Sequence, residues 1–207
     1  MESSPEPQHI LYLNRGQDDA ITIHLLKSKD RFVPVYSVSH NAKMTRMEIK
    51  RIQCDTVSTQ YRAAGAVRFR KIQPRVNVTV RGVTFKLTRK HPLSSTLSFR
   101  FLGVGDMRWE ELDKKHQGMR LVDFNGKTLA HFRPRLRVAE AGGGGGGSPP
   151  AENTSRCLPG FELFAALADL DMDLLVTTGL AAAEYRRQLD GDWDMVAEEE
   201  PDKAGGG

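Results

Sequence analysis

Basic side chains alternate with apolar ones in several short segments of this chain. The clearest cases are the segments AVRFR, VTFKL and TLSFRF, which begin at residues 66, 83 and 96. In a β-strand, alternate side chains point to opposite faces, so burial of the apolar set leaves the basic set outside. The cations expected outside are Arg68, Arg70, Arg81, Lys86 and Arg100. Such a face can bind phosphate groups, and a merely solvated face is an equally open interpretation.

No sequence pattern for catalysis accompanies these cations. The chain lacks G-x-S-x-G, the phosphate-binding loop, H-E-x-x-H and C-x-x-C. Carboxylates cluster in DMRWEELD, residues 106–113, where a strand end with solvated acids is expected. The six histidines are scattered without metal-ligand spacing: His9, His24, His40, His91, His116 and His131. We therefore expect a protein that is not an enzyme and that has no metal or other cofactor.

Charge is divided unevenly along the 207 residues. Residues 1–137 hold 26 Lys and Arg against 12 Asp and Glu, whereas residues 138–207 hold 4 against 14. This division predicts a basic surface with an anionic partner, supplied from outside or by the acidic end of the chain itself. The first residues, MESSPEPQ, lack the features of a signal peptide, and the two cysteines suit a reducing compartment. An intracellular, cytoplasmic protein is expected, with peripheral membrane and nuclear locations left open.

The segments that must position these cations read as twelve short strands between His9 and Phe132. They are ILYLN, ITIHLL, VPVYSV, RMEIKRI, TVSTQY, AVRFR, VNVTV, VTFKL, TLSFRF, MRW, MRLVDF and TLAHF. Two hairpins have a predictable register. A turn at Arg81-Gly82 pairs Val80 with Val83, and a turn at Asn125-Gly126 pairs Val122 with Leu129.

One helix is predicted, over residues 170–189. Its central residues are apolar or small on every side, with aspartates before it and Arg186 and Arg187 near its end. Only residues 174–183 are free of charge, which is too short for a membrane span of about 20 residues. A helix that is apolar all round is a buried helix, and a barrel of about twelve strands needs contents. We therefore predict a mainly β fold, a closed antiparallel barrel around a C-terminal helix.

Four segments carry a resemblance to a known family: RMEIKRI, RWEE (Arg108–Glu111), VDFNGKTLAHF (Val122–Phe132) and LDMDLLVTTGLAAAEYRR (Leu170–Arg187). On these residues the chain resembles the tubby C-terminal domain and its LURP-one-related and phospholipid-scramblase-like relatives, most of all divergent fungal members. The resemblance covers residues 9–189. It implies a twelve-stranded barrel around a hydrophobic helix, and it implies phosphoinositide binding as the leading hypothesis for function.

The domain limits follow from composition. Residues 1–8 are expected to be a disordered start, 9–189 a single barrel domain and 190–207 an acidic disordered tail. Within the domain, residues 139–160 are rich in Gly and Pro and are predicted to be a flexible insertion.

The expected function is a binding module for anionic phospholipid or phosphoinositide headgroups through the basic face. The alternative is a nucleic-acid-binding or protein-interaction module that uses the same face. Nucleic acid is the weaker candidate, because the aromatic residues near these cations are expected to point inward. A further hypothesis is that the acidic tail, Asp190–Asp202, binds the basic face in cis.

Overall fold

The computed structural model describes residues 6–16, 20–28, 31–55, 58–69, 75–89, 91, 94–112, 118–138 and 157–190. Twelve strands in this part of the chain form one closed antiparallel barrel. The strands are β1 (His9–Arg15), β2 (Ile21–Ser28), β3 (Arg31–His40), β4 (Arg46–Cys54), β5 (Thr59–Phe69), β6 (Arg75–Val80), β7 (Val83–Arg89), β8 (Leu97–Phe101), β9 (Gly105–Glu111), β10 (Met119–Val122), β11 (Thr128–Arg137) and β12 (Cys157–Leu163). A short 3₁₀ turn (Leu167–Asp169) leads into the helix α1 (Met172–Asp190).

The barrel is an up-and-down meander. Each strand pairs with its neighbours in sequence, and β12 pairs with β1 to close the ring, with His9 opposite Leu163. Alternate side chains therefore face the lumen along every strand. The predicted fold class, a twelve-stranded closed barrel with a buried C-terminal helix, is confirmed.

The predicted strand count is right, but two individual assignments are wrong. Residues 59–61 of the segment TVSTQY and residues 66–69 of AVRFR belong to one long strand, β5. The strand CLPGFEL, β12, was missed, and its first four residues lie inside the predicted flexible insertion. This strand lacks polar alternation and contains Pro159, which cannot donate a ladder hydrogen bond. Pro159 falls where the β11–β12 register shifts, so the ladder tolerates it there.

The hairpin between β6 and β7 has the predicted register, with Val80 opposite Val83 and Val76 opposite Leu87. Arg81 and Gly82 both have positive φ, at 47° and 83°, as a two-residue turn of this kind requires.

The hairpin between β10 and β11 is only partly as predicted. The pairs farther from the turn keep the expected register, with Leu121 opposite Ala130. The register shifts at the next residue, so Val122 lies opposite Thr128 instead of Leu129. The cause is the carboxylate of Asp123, which accepts hydrogen bonds from the backbone N–H groups of Asn125 and Lys127 at 2.9 and 2.8 Å. The turn therefore closes on the Asp123 side chain.

Helix α1 fills the barrel. Every residue from 173 to 184 is buried, including the charged Glu184. Asp171 begins the helix, since its side chain accepts a hydrogen bond from the backbone N–H of Leu174 at 3.2 Å. Twelve strands enclose a wider lumen than wall side chains alone can fill, and the helix occupies that space.

Small side chains let the helix and the wall approach closely. A Cβ atom on Gly179 would lie 2.4 Å from the Phe161 ring, and one on Gly65 would lie 2.2 Å from Thr177. Trp109, which is fully buried, donates from Nε1 to the hydroxyl of Thr178 at 3.1 Å. That hydroxyl in turn donates to the Leu174 carbonyl at 2.8 Å. Glycine and threonine thus serve packing here, at some cost in helix propensity.

Both ends of the helix are tied to the wall. At the end where it begins, called the upper end, Asp173 accepts hydrogen bonds from the Tyr36 hydroxyl at 2.8 Å and from Arg51 at 3.0 Å. Burial and the Asp173 charge raise the pKa of Tyr36, so its hydroxyl keeps the proton it donates. At the lower end, Gln188 donates to the Met44 carbonyl at 3.2 Å.

The first prediction concerns the filled lumen. Leu175 is 2% exposed inside the barrel, whereas Leu189, on the last turn of the same helix, is 50% exposed. We expect Leu175→Asp to lower the free energy of unfolding by several kcal/mol, because it buries an unpaired charge. The matched control Leu189→Asp should cost less than about 1 kcal/mol. Urea denaturation followed by circular dichroism measures both, and equal stability of the two variants would contradict an interior helix.

Candidate functional site: a basic cleft between two strands

Outward side chains of six neighbouring strands lie in one cross-strand row. Arg46 on β4 is opposite Arg68 on β5, which is opposite Asn77 on β6, which is opposite Lys86 on β7. Arg100 on β8 continues the row, opposite Asp106 on β9. Neighbouring strands are about 4.8 Å apart, so Arg68 and Lys86 are about 10 Å apart at the backbone. We call this set the basic row.

The row is interrupted by an opening between β7 and β8. These strands pair near the lower end, through Thr88 with Ser98 and Arg89 with Leu97. The pairing stops there, so that Lys86 and Arg100, the next outward residues, flank a cleft of about 480 Å³. We call this opening the basic cleft.

The walls of the basic cleft carry cations and hydroxyl groups. Lys86 and Thr88 come from β7, Ser98 and Arg100 from β8, and Arg108 from β9. The inward residues Phe99 and Met107 form its floor, and the exposed ring of Phe124, from the β10–β11 turn, lies at its edge. The cleft therefore combines positive charge, hydrogen-bond donors and one exposed aromatic ring.

Two acids moderate the positive charge. Asp106 lies 3.8 Å from Nε of Arg100, and because these side chains are 71% and 82% exposed, the pair contributes little. Glu110 accepts hydrogen bonds from Arg108 and, at 3.0 Å, from Arg120. Burial acts to raise the pKa of Glu110, but the two arginines outweigh it and hold the pKa below its usual range. With Glu110 counted beside the lining residues, three cations face two carboxylates, which leaves one positive charge in excess, and Arg120 shares Glu110 with Arg108.

The side chains of this arrangement are hydrogen-bond donors of the kind that anions accept from. A phosphate group can accept hydrogen bonds from Lys86, Arg100 and Arg108 and from the hydroxyls of Thr88 and Ser98. The backbones of the cleft residues are held by the ladders of β7 with β6 and of β8 with β9, so the points from which the donor side chains extend are fixed. Within the described ranges, no group of three His, Cys, Asp or Glu side chains could hold a metal ion.

Of the five cations singled out from the sequence, the four that the structure describes have three different locations. Lys86 and Arg100 lie together at the basic cleft, and Arg68 is exposed on the basic row two strands away. Arg70 lies outside the described residues. Arg81 is elsewhere, at the upper end of the barrel.

Arg81 holds the start of the helix instead of joining the cleft. Its guanidinium forms an ion pair with Asp171, the residue that caps the helix, and lies 5.8 Å from the centre of the Phe101 ring. A second cavity of about 470 Å³ opens beside this pair, between the wall and the residues that lead into the helix. Because Arg81 forms an ion pair with Asp171, the positive charge of Arg81 is balanced within the fold.

Sequence reasoning missed Arg46, Thr88, Ser98, Arg108 and Phe124. Arg108 lies between inward-facing Met107 and Trp109, in the predicted strand MRW. Phe124 was assigned to a strand, whereas it lies in the turn that Asp123 closes. The alternation around Arg108 was the available signal. The aromatic residues next to the other cations do face inward, with Phe69, Phe99 and Phe101 buried.

Comparison with protein-family models, with curated proteins and with solved structures found no match. The resemblance to tubby-like barrels therefore stays a prediction that rests on the quoted residues. Among the described residues, no helix is long and apolar enough to cross a membrane. The acidic residues beyond Asp190 lie outside the part of the chain that the structure describes.

Away from the cleft, a second group of charges joins β11 and β12. Glu162 lies opposite His131, with 3.5 Å between Oε2 and Nδ1, and accepts a hydrogen bond from Arg133 at 2.5 Å. Burial acts to raise the pKa of Glu162, but His131 and Arg133 outweigh it, and the pKa is lowered. This cluster stabilises the last strand that the chain adds to the barrel.

The second prediction concerns acid. Because folding lowers the pKa of Glu110 and Glu162, the unfolded chain takes up these protons at a higher pH than the folded chain. The stability they contribute is complete above the ordinary value of 4.5 and is lost as the pH falls through the lowered pKa values. Glu162→Gln should lower the free energy of unfolding by about 1–3 kcal/mol at pH 7. Below the ordinary pKa of 4.5, the stability of the variant should fall less steeply with pH than that of the wild type. Urea denaturation over a pH series measures both effects. An unchanged acid slope in the variant would contradict the assignment.

Proposed function

We propose that this protein is a non-enzymatic binding module for anionic phospholipid headgroups, phosphoinositides among them, and that the ligand binds at the basic cleft. The observation that carries the proposal is the meeting of Lys86, Arg100 and Arg108 around one opening, beside the hydroxyls of Thr88 and Ser98. Cations and hydroxyls in one concave site are the donors that phosphate groups require.

The shape of the site favours a headgroup that is presented by a surface. The basic cleft lies on the outer wall, and the cations beside it are exposed, Arg100 by 82%. An enclosed pocket that buries most of a small molecule would suit a free metabolite better. The resemblance to tubby domains supports the same class of ligand, since phosphoinositide binding is what it implies.

The basic row supports the proposal through its electrostatics. Arg46 and Arg68 are directly opposite each other, and like charges in that position destabilise a sheet. Glu48 offsets part of this by pairing with Arg46 at 2.6 Å, and Arg68 adds positive potential beside the cleft. A multiply charged headgroup or an anionic bilayer would gain from this potential, because each nearby Lys or Arg contributes about 1 kcal/mol at an anionic surface.

The third prediction tests the cleft cations. Lys86→Gln/Arg100→Gln should weaken binding to phosphatidylcholine vesicles that contain phosphatidylserine or a phosphoinositide by about 30-fold, or about 2 kcal/mol. Vesicle flotation measures the binding, and added salt should weaken the wild type more steeply than the variant.

The matched control removes the same charge from the opposite wall. Lys27 and Arg31 are exposed on β2 and β3, which lie across the barrel from β7 and β8. Lys27→Gln/Arg31→Gln should bind nearly as tightly as the wild type. Equal weakening by both variants would mean that binding depends on net charge and not on the basic cleft. Binding of single-stranded RNA in place of vesicles would favour the alternative function, nucleic-acid binding.

The acidic tail is a competitor for the same cleft under this proposal. It begins at Asp190, the last residue of α1, so its local concentration near the barrel is high. The fourth prediction is that truncation after Leu189 strengthens binding to anionic vesicles, most strongly at low salt. The Lys86→Gln/Arg100→Gln background should remove this gain. Equal vesicle binding with and without the tail at low ionic strength would leave it without a competing role.

A further inference from the structure

Large apolar side chains are exposed on the turns that border the basic cleft. Among the described residues, six large apolar side chains are exposed, and three of them are Val83, Leu102 and Phe124. Leu102 is 87% exposed and Phe124 is 66% exposed, the two highest values of the six. Single exposed apolar residues are common on proteins, so their arrangement is what matters.

The three residues lie on one arc of the upper rim. Val83 follows the β6–β7 turn, Leu102 is in the β8–β9 turn, and Phe124 is in the β10–β11 turn. These three turns are neighbours, because β6 to β11 follow one another around the barrel. We call Val83, Leu102 and Phe124 the apolar rim.

The apolar rim and the basic cleft form one surface. Leu102 is two residues beyond Arg100, and the Phe124 ring lines the cleft together with Lys86 and Arg100. The same ring lies against the start of β9, 3.6 Å from the position of a Cβ on Gly105. The turns are anchored as well, since Asp123 holds the backbone that carries Phe124.

Apolar side chains that protrude beside cations match the interface of an anionic bilayer. There the charged groups meet phosphates and the apolar groups enter the boundary between headgroups and acyl chains. We infer that Leu102 and Phe124 insert into the membrane interface while Lys86 and Arg100 bind headgroups, so that the arc of the upper rim between β6 and β11, and not the β2–β3 side, faces the membrane. This inference rests on the proposed function and adds an orientation and an apolar contribution to it.

The apolar contribution differs from the ionic one in its response to salt. Ionic strength screens contacts between exposed charges and phosphates, but it does not weaken burial of apolar surface. Wild-type protein should therefore keep part of its vesicle binding at a salt concentration that removes most of the ionic attraction. Leu102→Ser and Phe124→Ser should each weaken binding by about tenfold, from the burial of a large apolar side chain.

Leu189 offers a matched control at the other end of the molecule. It is half exposed on the last turn of α1, far from the upper rim. Leu189→Ser should bind vesicles as the wild type does. Circular dichroism and urea denaturation of all three serine variants confirm that each is folded, which we expect because the side chains are exposed.

Insertion itself is measured with tryptophan and brominated lipid. Leu102→Trp and Leu189→Trp are mixed with phosphatidylcholine–phosphatidylserine vesicles in which the acyl chains carry bromine, which quenches nearby tryptophan fluorescence. The native Trp109 is fully buried in the barrel, and both variants share the same native tryptophans. We expect stronger quenching for Leu102→Trp than for Leu189→Trp, and only when anionic lipid is present.

The outcomes separate the two proposals. Vesicle binding that depends on Lys86 and Arg100, with no quenching at residue 102 and no loss in the serine variants, would overturn insertion and leave the proposed function standing. Absence of wild-type binding to any anionic vesicle would overturn both. Quenching at residue 102 together with tenfold weaker binding of the serine variants supports the inference.

Discussion

The width of a twelve-stranded barrel is the constraint on which the rest of this structure depends. Wall side chains alone cannot fill so wide a lumen, and an unfilled apolar lumen would cost stability in proportion to its volume. Helix α1 removes that cost, but only because its surface is shaped for the wall. Gly179 leaves room for Phe161, Thr177 packs against Gly65, and Thr178 accepts the hydrogen bond of the buried Trp109. A bulkier helix would push the strands apart.

Filling the lumen also determines which side chains of each strand face outward. Every inward position must match the helix, and a one-residue slip in any strand would bring a polar residue into the core. The outward residues therefore have a fixed place in the ladder, and the cations of β4 to β8 fall into one row as a consequence. The same constraint gives neighbouring cations different roles. Arg81 holds the start of the helix through Asp171, whereas Lys86, a few residues away on the same hairpin, is at the cleft.

Much of the fold could be predicted from the sequence because its signals are local. Alternation, the Arg81-Gly82 turn and the apolar helix each lie within a short stretch of chain. Strand β12 gave no such signal, because Pro159 and Gly160 interrupt it and its partners are distant in sequence. The β10–β11 turn depends on one side-chain carboxylate, that of Asp123, which competed with the familiar Asn-Gly signal.

The candidate site was harder to predict for a related reason. Alternation placed Lys86 and Arg100 outside, but their meeting depends on where the β7–β8 pairing ends. That point is a joint property of two strands, and no short stretch of sequence records it. Arg108 enters the cleft from a third strand, and Phe124 enters from a turn two connections further along. A site assembled from four segments becomes visible only when the barrel is closed.

The stiffness of this barrel bears on how it would bind an anion. The cations of the basic row repel one another, and in a loose structure they would move apart until the repulsion was small. Here β7 is paired with β6 and β8 with β9, and the core is packed behind them, so the backbone on each side of the cleft is held although β7 and β8 do not pair at that point. The part of the repulsion that Glu48 and Asp106 do not offset is therefore retained in the folded protein, held by the burial of the core. A phosphate group that bridges two such cations relieves the repulsion without reorganising the barrel, so little of the binding energy is lost to ordering the site. Under the proposed function, the buried helix and the outer cleft would act together, because the tight packing inside holds an outer charge arrangement that a bound phosphate group would neutralise.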